Sequence, residues 1–328
     1  MTRPLRYLAA IVLLAGTLAG CGATSDHALN LTLSALATPR ANSTPSPPTK
    51  KVNCRHATAS LRPPAALPAP NALPAGSFMA QIRKRGYLIA GVNTGAYKFG
   101  SLNPTTGTIE GFEIDLVNEV AAAIFGNASG HVRYFALTVP QRFTAVEDGR
   151  VDIVADTITI TCPRRALVDF STVYYNATQR LLVPRGSGVK DIQALAHKRV
   201  CATASSTPID VMKAMSAADR PVPVGMPQAI DCLVALQQGT GNIAAISTDS
   251  SILQGFQAQD PNNTEIVGPS LGSVPYGMAI SKAHPDFVRF VNGVLARLEQ
   301  DGTWQRLQAE WLGQFHQLEA TPTPEYDG

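Results

Sequence analysis

The stretch from Val151 to Ser171 carries the most chemistry in this chain. Thr157, Thr159 and Thr161 alternate with Ile158 and Ile160, which puts hydroxyls on one side of the segment and apolar side chains on the other. A polar row backed by an apolar row suits the wall of a cleft. Arg164 and Arg165 follow, then Ala166, Leu167 and Val168, then the turn Asp169, Phe170, Ser171. An arginine in such a frame can fork two parallel hydrogen bonds onto a carboxylate, which a lysine cannot do. Taken alone, the cluster reads more readily as an ordinary strand with two solvated arginines, so the rest of the chain matters.

Three other places along the chain stand out, not all of them charged. Thr203 to Thr207 is a run of small residues between a strand, Arg199 to Ala202, and a helix expected from about Ile209 to Met215. A strand, a tight turn and a helix start leave free backbone N–H groups and the helix dipole aimed at the turn, so Ala204, Ser205, Ser206 and Thr207 can cradle an anion. Asp249 directly follows the buried strand Ile243 to Thr248. It can cap the next helix, worth about 1 kcal/mol, or border the crevice that strand ends form in open α/β sheets. Asn93 and Lys98 sit in the loop after the strand Tyr87 to Val92. Both are polar groups that could reach a ligand, although a loop lysine can also simply be solvated.

Strands and helices in alternation would position these groups. Met79 to Arg85 reads as a short helix, and Ile114, Val117, Val120, Ala121 and Ile124 fall at helical spacing between Phe112 and Gly126. Glu113 and Asp115 lie in the first turn of that helix, where negative charge is favoured. Val132 to Ala136 is a strand and Pro140 to Glu147 a helix capped by Thr138. Val173 to Val183 is extended, Ile192 to Ala196 helical, Met226 the start of a short strand, and Ile230 to Gln238 a helix. Glu265 to Val267 and Tyr276 to Ser281 are extended, and Pro285 to Leu298 and Thr303 to Phe315 are helical. The alternation argues an α/β protein with parallel, doubly wound sheets. With 328 residues and 45% hydrophobic content, the chain exceeds what one core usually serves.

The formal net charge is only +3 and no basic run is interleaved with aromatics, so nucleic-acid binding has no support. Arg3 and Arg6 precede an apolar run from Tyr7 to about Leu18, too short to span a bilayer, followed by Leu18, Ala19, Gly20, Cys21. That is a bacterial lipoprotein signal over 1–20, with Cys21 as the lipid-bearing first mature residue. Residues 21–75, rich in Ala, Ser, Thr and Pro, read as a lipidated flexible tether. Cys54, Cys162, Cys201 and Cys232 then remain in an oxidising compartment, and four cysteines allow three pairings. No C-x-x-C occurs and the histidines are scattered, so no metal site is expected. Gly268, Pro269, Ser270, Leu271, Gly272 has the spacing of a hydrolase nucleophile turn. Pro275 and a strand follow it, however, where that chemistry needs a helix.

The segment ending Thr159 to Ser171 resembles the T-x-T-x-x-R-x-x-x-x-D-F-S signature of the polar amino-acid solute-binding proteins that serve ABC importers. Gly111, Phe112, Glu113, Asp115 and Leu116 resemble that family's G-F-D-x-D-L element, and the order of segments is similar from about Phe78 to Phe315. Thr157, where relatives often carry a small residue, and the Cys162, Pro163 pair, where an acidic residue is common, depart from the pattern. The resemblance implies a type II periplasmic-binding-protein fold with two hinge crossings. Lobe 1 would take 76–180 and 271–318, lobe 2 would take 181–270, and 319–328 would be a tail. It implies that Arg164, Thr159 and Thr157, with the turn at Ser206 and Thr207, hold an α-carboxylate, that Asp249 holds the α-ammonium, and that Asn93 and Lys98 face the ligand side chain. In that frame Cys201 and Cys232 share a lobe, which leaves Cys54 for Cys162, a bond that would strap the second half of the tether onto the body. The implied protein is a monomeric, cofactor-free receptor and not an enzyme. It would be lipid-anchored outside the cell membrane, binding free glutamate, aspartate, glutamine or asparagine for the membrane permease of an ABC transporter. A sensor feeding a membrane signalling partner, and a cyclohexadienyl dehydratase, are the alternatives the same resemblance leaves open.

Overall fold

The computed structural model describes Cys54, residues 56–315 and residues 318–327. The signal at 1–20, lipid attachment at Cys21 and the tether as far as residue 53 lie outside the described residues. In chain order the first lobe is built from α1 (Phe78–Arg85), β1 (Leu88–Val92), a ribbon of β2 (Gly95–Ala96), β3 (Gly100–Leu102) and β4 (Ile109–Glu110), then α2 (Phe112–Phe125), β5 (Val132–Ala136), α3 (Arg142–Glu147), β6 (Ile153–Ala155), α4 (Cys162–Arg165) and β7 (Asp169–Phe170). Strand β8 (Tyr175–Pro184) leaves that lobe. The second contains β9 (Arg199–Thr203), α5 (Thr207–Ala214), β10 (Val222–Met226), α6 (Ala229–Gln237), β11 (Ile243–Asp249), α7 (Ser250–Gln259) and β12 (Thr264–Val267). Strand β13 (Ser273–Tyr276) returns, and β14 (Ala279–Ile280), α8 (Pro285–Gln300) and α9 (Thr303–Leu312) complete lobe 1.

Lobe 1 holds a five-stranded sheet in the order β5-β1-β6-β14-β7, with β1 parallel to both neighbours and β14 antiparallel to both of its own. Side chains alternate across it as a strand requires. Leu88, Ala90 and Val92 join the core under α2, α8 and α9, while Ile89 packs with Val146, Val154 and Val168 on the opposite face. Lobe 2 repeats the arrangement in the order β10-β9-β11-β8-β12. There Val200 and Ala202 enter one core and Cys201, between them, enters the other. Each lobe is therefore a sheet with a packed layer on both faces, which is the doubly wound architecture.

The two crossings between lobes are bonded to each other. The first half of β8 pairs with β13, Tyr175 opposite Tyr276 and Thr178 opposite Ser273, while its second half pairs with β11 and β12. Helix α2 shows why the ribbon sits where it does. Gly111 caps it at φ 137°, and a Cβ there would stand 2.4 Å from the carbonyl oxygen of Phe99, so only glycine lets the ribbon close onto the helix start.

Two disulfides are formed, Cys54–Cys162 with Cα atoms 5.7 Å apart and Cys201–Cys232 with Cα atoms 5.6 Å apart. From Cys54 onward the segment read as tether is laid against lobe 1. Leu61, Leu67 and Leu73 pack on its core, and Ser60 is buried. The disulfide and those apolar contacts hold a stretch whose composition alone does not specify structure. Two local expectations also change. The segment expected as a helix over Ile192 to Ala196 is a single 3-10 turn, Gln193–Leu195, and Met226 ends its strand where the reading had it begin one.

Candidate functional site

Between the lobes, Thr157, Thr159 and Arg164 of lobe 1 and Thr203, Ser206, Thr207, Thr248 and Asp249 of lobe 2 line one cavity, with Arg142, Val139, Pro208 and Ile252 completing the wall. The hydroxyl row divides. Thr157 and Thr159 face the cavity, Ile158 and Ile160 enter the core behind them, and Thr161 instead caps α4 by accepting from the Arg164 N–H at 3.4 Å. Thr157 sits at φ 44°, a left-handed conformation that a β-branched residue adopts only under constraint. The constraint is Glu113, whose Oε1 accepts the Thr157 N–H at 2.7 Å and also the Tyr174 hydroxyl. Glu113 is fully buried, and burial pushes its carboxyl up to about 7.

The Arg164 guanidinium donates to the carbonyl of Thr159 at 2.8 Å and, across the cleft, to that of Ser205 at 3.3 Å. Neither partner carries a charge. Burial and the neighbouring positive charge of Arg142 hold Arg164 down to about 9, against the opposing pull of Asp249, Asp210 and Asp156. Arg142 is itself buried, donates to the Asp156 carbonyl at 2.9 Å and leaves its Nε without a partner among the described residues. Both guanidinium carbons lie near the Phe143 ring, 5.5 Å and 5.6 Å from its centroid, within cation–π reach.

On the other lobe, Asp249 ends β11 with its side chain buried. Oδ2 accepts from the Tyr276 hydroxyl at 2.8 Å, whereas Oδ1 is buried with no hydrogen-bond partner among the described residues. Burial raises this carboxyl to about 6, with the Tyr276 hydrogen bond and then Arg142 and Arg164 opposing. The cavity thus sets Arg164, whose hydrogen bonds go to carbonyls, and Arg142, with the buried Asp156 carboxylate 4.0 Å behind it, against a buried Asp249 carboxylate that keeps one acceptor open. Buried charges normally find a partner, so this arrangement suits a guest that carries both signs.

The small-residue turn supplies something different from a row of amides. The Ser206 N–H and hydroxyl both go to the Thr203 carbonyl, at 3.2 and 2.5 Å, and Ser205, at φ 61°, presents its carbonyl to Arg164. Thr207 begins α5 and its hydroxyl meets that of Thr159 at 3.3 Å. These contacts, with Gln228 Nε2 donating to the Leu137 carbonyl at 3.2 Å, draw the lobes together. The cavity they leave is ≈ 20 Å³, about the room of one water. The lobes must part to admit anything larger.

Two candidate residues stand elsewhere. Asn93 is buried behind the cavity wall, donating to Asp156 Oδ1 at 2.7 Å and accepting from the Gly95 N–H at 2.7 Å. Lys98, at φ 70°, lies in a separate groove with its Nζ over the rings of Tyr97 and Trp311, 5.2 and 5.3 Å from their centroids. Neither residue lines the cavity, and each side chain is held by a protein partner instead. Lys98→Ala should therefore leave ligand affinity within about twofold of wild type by calorimetric titration, as distant surface changes usually do. Arg142, Asp156 and Tyr276 are the site residues that sequence reasoning missed. Nothing in the spacing of Pro140, Gln141, Arg142 distinguishes a buried arginine from a solvated one, whereas Tyr276 falls at the edge of the stretch that the sequence predicts as extended, Tyr276 to Ser281.

Residues 88–314 match the bacterial extracellular solute-binding proteins, family 3. The ABC transporter glutamine-binding protein GlnH of Bacillus subtilis is 30% identical over 235 residues, covering 71% of this chain and 84% of its own length. An ancestral arginine-binding protein bound to glutamine superposes with a TM-score of 0.64 at 27% identity, over 70% of this chain and 99% of its own. The cysteine-binding protein of Campylobacter jejuni shares the fold, with a TM-score of 0.68 at 20% identity over 75% of this chain and 96% of its own. With more than half its length matched and its two sheets, paired crossings and interlobe cavity in place, the chain belongs to family 3 of the bacterial extracellular solute-binding proteins.

Proposed function

We propose that this protein is an extracytoplasmic receptor that closes on one free L-amino acid with a polar side chain (glutamate, aspartate, glutamine or asparagine) and delivers it to the permease of an ABC importer. The observation that carries the reading is the opposition of Arg164, a buried cation whose hydrogen bonds among the described residues go to carbonyls, and Asp249, a buried carboxylate with one oxygen unpartnered among them. An α-carboxylate meets the first and an α-ammonium the second. Thr157, Thr159 and Thr207 supply hydroxyls to the same end of the guest, and Ser206, whose N–H and hydroxyl go to the Thr203 carbonyl, shapes the wall beside them. Charged hydrogen bonds contribute roughly 1.5 to 3 kcal/mol each, so three or four reach the roughly 8 kcal/mol of a micromolar receptor after closure costs. The glutamine-binding relative from Bacillus subtilis supports an importer role. Lipid attachment at Cys21 and a monomeric state belong to the same proposal.

Side-chain choice falls to Arg142, the second cation in the wall, whose free Nε suits a carboxylate or amide oxygen. Calorimetric titration with the twenty amino acids tests the whole reading, and binding of none of them overturns it. Arg142→Met should cost glutamate or aspartate about tenfold or more relative to an apolar amino acid of similar size, since a hydrogen bond to a charged group is lost. Equal losses for charged and apolar ligands would remove Arg142 from the side-chain pocket.

A further inference from the structure

We propose that Arg165 and the Cys54–Cys162 bond are positioning groups for Arg164. Together they clamp α4 from its outer side, so that its inner side presents the guanidinium to the cavity. This rests on the reading that Arg164 receives an α-carboxylate, and it gives a role to residues that no ligand touches.

Helix α4 is a single turn of four residues, too short to be stable by itself because the first turn fixes many dihedrals for few bonds. Something outside it must hold it. Its first residue, Cys162, is bonded to Cys54, and its last, Arg165, reaches away from the cavity. Successive residues on a helix project about 100° apart, so Arg164 and its neighbour serve different partners. Arg165 Nη1 donates to the carbonyls of His56 at 3.0 Å, Ala57 at 3.3 Å and Ala59, and Nη2 pairs with Asp327 Oδ2 at 2.6 Å.

The clamp is itself built and anchored. The Ser60 N–H donates to the Glu325 carbonyl and the Asp327 N–H to the Ser60 carbonyl, both at 2.9 Å, so the two segments form a short parallel bridge. The Ser60 hydroxyl donates to the Phe170 carbonyl at 2.6 Å and accepts from Asn292 at 2.8 Å, inside lobe 1. The outer face of α4 is thus tied to the lobe's interior through residues 56–60 and 325–327. A guanidinium that must meet a carboxylate in a fixed bidentate geometry gains from such rigidity, because small displacements of a binding group are costly.

The test compares L-glutamate and L-glutamine with their α-methyl esters by calorimetry, in wild type, Arg165→Met, Arg165→Lys and the double variant Cys54→Ala/Cys162→Ala. Mutation is preferred to a reductant, which would also open Cys201–Cys232. The ester removes the charge that Arg164 reads, so the acid-to-ester affinity ratio reports how well that guanidinium is placed. The ratio should fall roughly tenfold or more in Arg165→Met and in the double variant, with partial recovery in Arg165→Lys. An unchanged ratio accompanied only by a lower thermal midpoint makes the clamp a stabilising feature and overturns the proposal. If wild type binds neither amino acid, the receptor reading fails for these ligands, and the clamp is then judged by hydrogen exchange. The Arg165, Leu167 and Val168 amides, bonded to the carbonyls of Thr161 and Arg164, should exchange about tenfold faster in the variants while lobe 2 is unaffected. Equal exchange overturns it.

Discussion

Arg164→Ala is expected to raise the Kd for every α-amino acid by about 10²- to 4 × 10³-fold. The α-carboxylate would then enter a closed cavity having lost its forked donor, and removing one partner of a buried charge pair costs about 3–5 kcal/mol, with each ~1.4 kcal/mol worth a factor of ten. The loss should be uniform across side chains, because the group being read is common to all of them. Lysine at this position should not restore affinity, since a point charge cannot match both carboxylate oxygens. Calorimetric titration of the variant with each amino acid that binds wild type is the measurement, with the unliganded thermal midpoint checking that the lobe still folds. A Kd within about threefold of wild type would reject the site assignment, and a loss confined to acidic side chains would move Arg164 to the other end of the ligand.

Binding should also weaken as the pH falls through about 6, where the raised Asp249 carboxyl takes up its proton and no longer offers a charge to the ammonium. Affinity then drops by up to about tenfold per pH unit below that point. Asp249→Asn should bind weakly at pH 8 and show little further change on acidification. Folding responds with the opposite sign. The carboxyl of Asp249 rises from its ordinary 3.8 to about 6 and that of Glu113 from 4.5 to about 7, so the folded state holds these protons more tightly than the unfolded chain. The stability these two groups contribute is present below their unfolded values and is lost as the pH rises through about 6 and 7. Thermal melts between pH 4.5 and 8, with and without ligand, separate the two effects. The ligand-induced shift should grow with pH while these groups' contribution to the unliganded midpoint declines. A ligand-induced shift independent of pH would remove Asp249 from the ammonium site.

Much of this could be read from residue order because strand-and-helix alternation and the run from Thr157 to Asp169 are local patterns. The apolar residues at Ile158 and Ile160 and the cluster at Thr159 and Arg164 announce a wall with a cation in it, and the structure gathers Thr157, Thr159, Arg164, Ser206, Thr207 and Asp249 around one cavity. What escaped was set by partners distant in the chain. Lys98 is taken out of the cleft by Trp311, which arrives on α9, and Asn93 is used by Asp156. Arg142 is buried against the Asp156 carbonyl at 2.9 Å and its carboxylate at 4.0 Å, a partner that no spacing rule links to it. Composition marks the segment before residue 75 as unable to order itself; the expected bond from Cys54 to Cys162 does strap its second half to lobe 1, whereas the three leucines that also fasten it there are signalled by nothing local.

The pairing of β8 with β13 bears on how the molecule would be read from outside. Two unbonded crossings could flex separately and let the lobes slide, tilt or splay. Bonded into a two-stranded ribbon, the crossings instead form one shared hinge between the lobes. Its returning strand also carries Tyr276, which grips Asp249, so the pivot and the site share a residue. Any partner that docks across both lobes would therefore meet one shut outline whatever side chain lies within, and would register occupancy without needing to know the occupant.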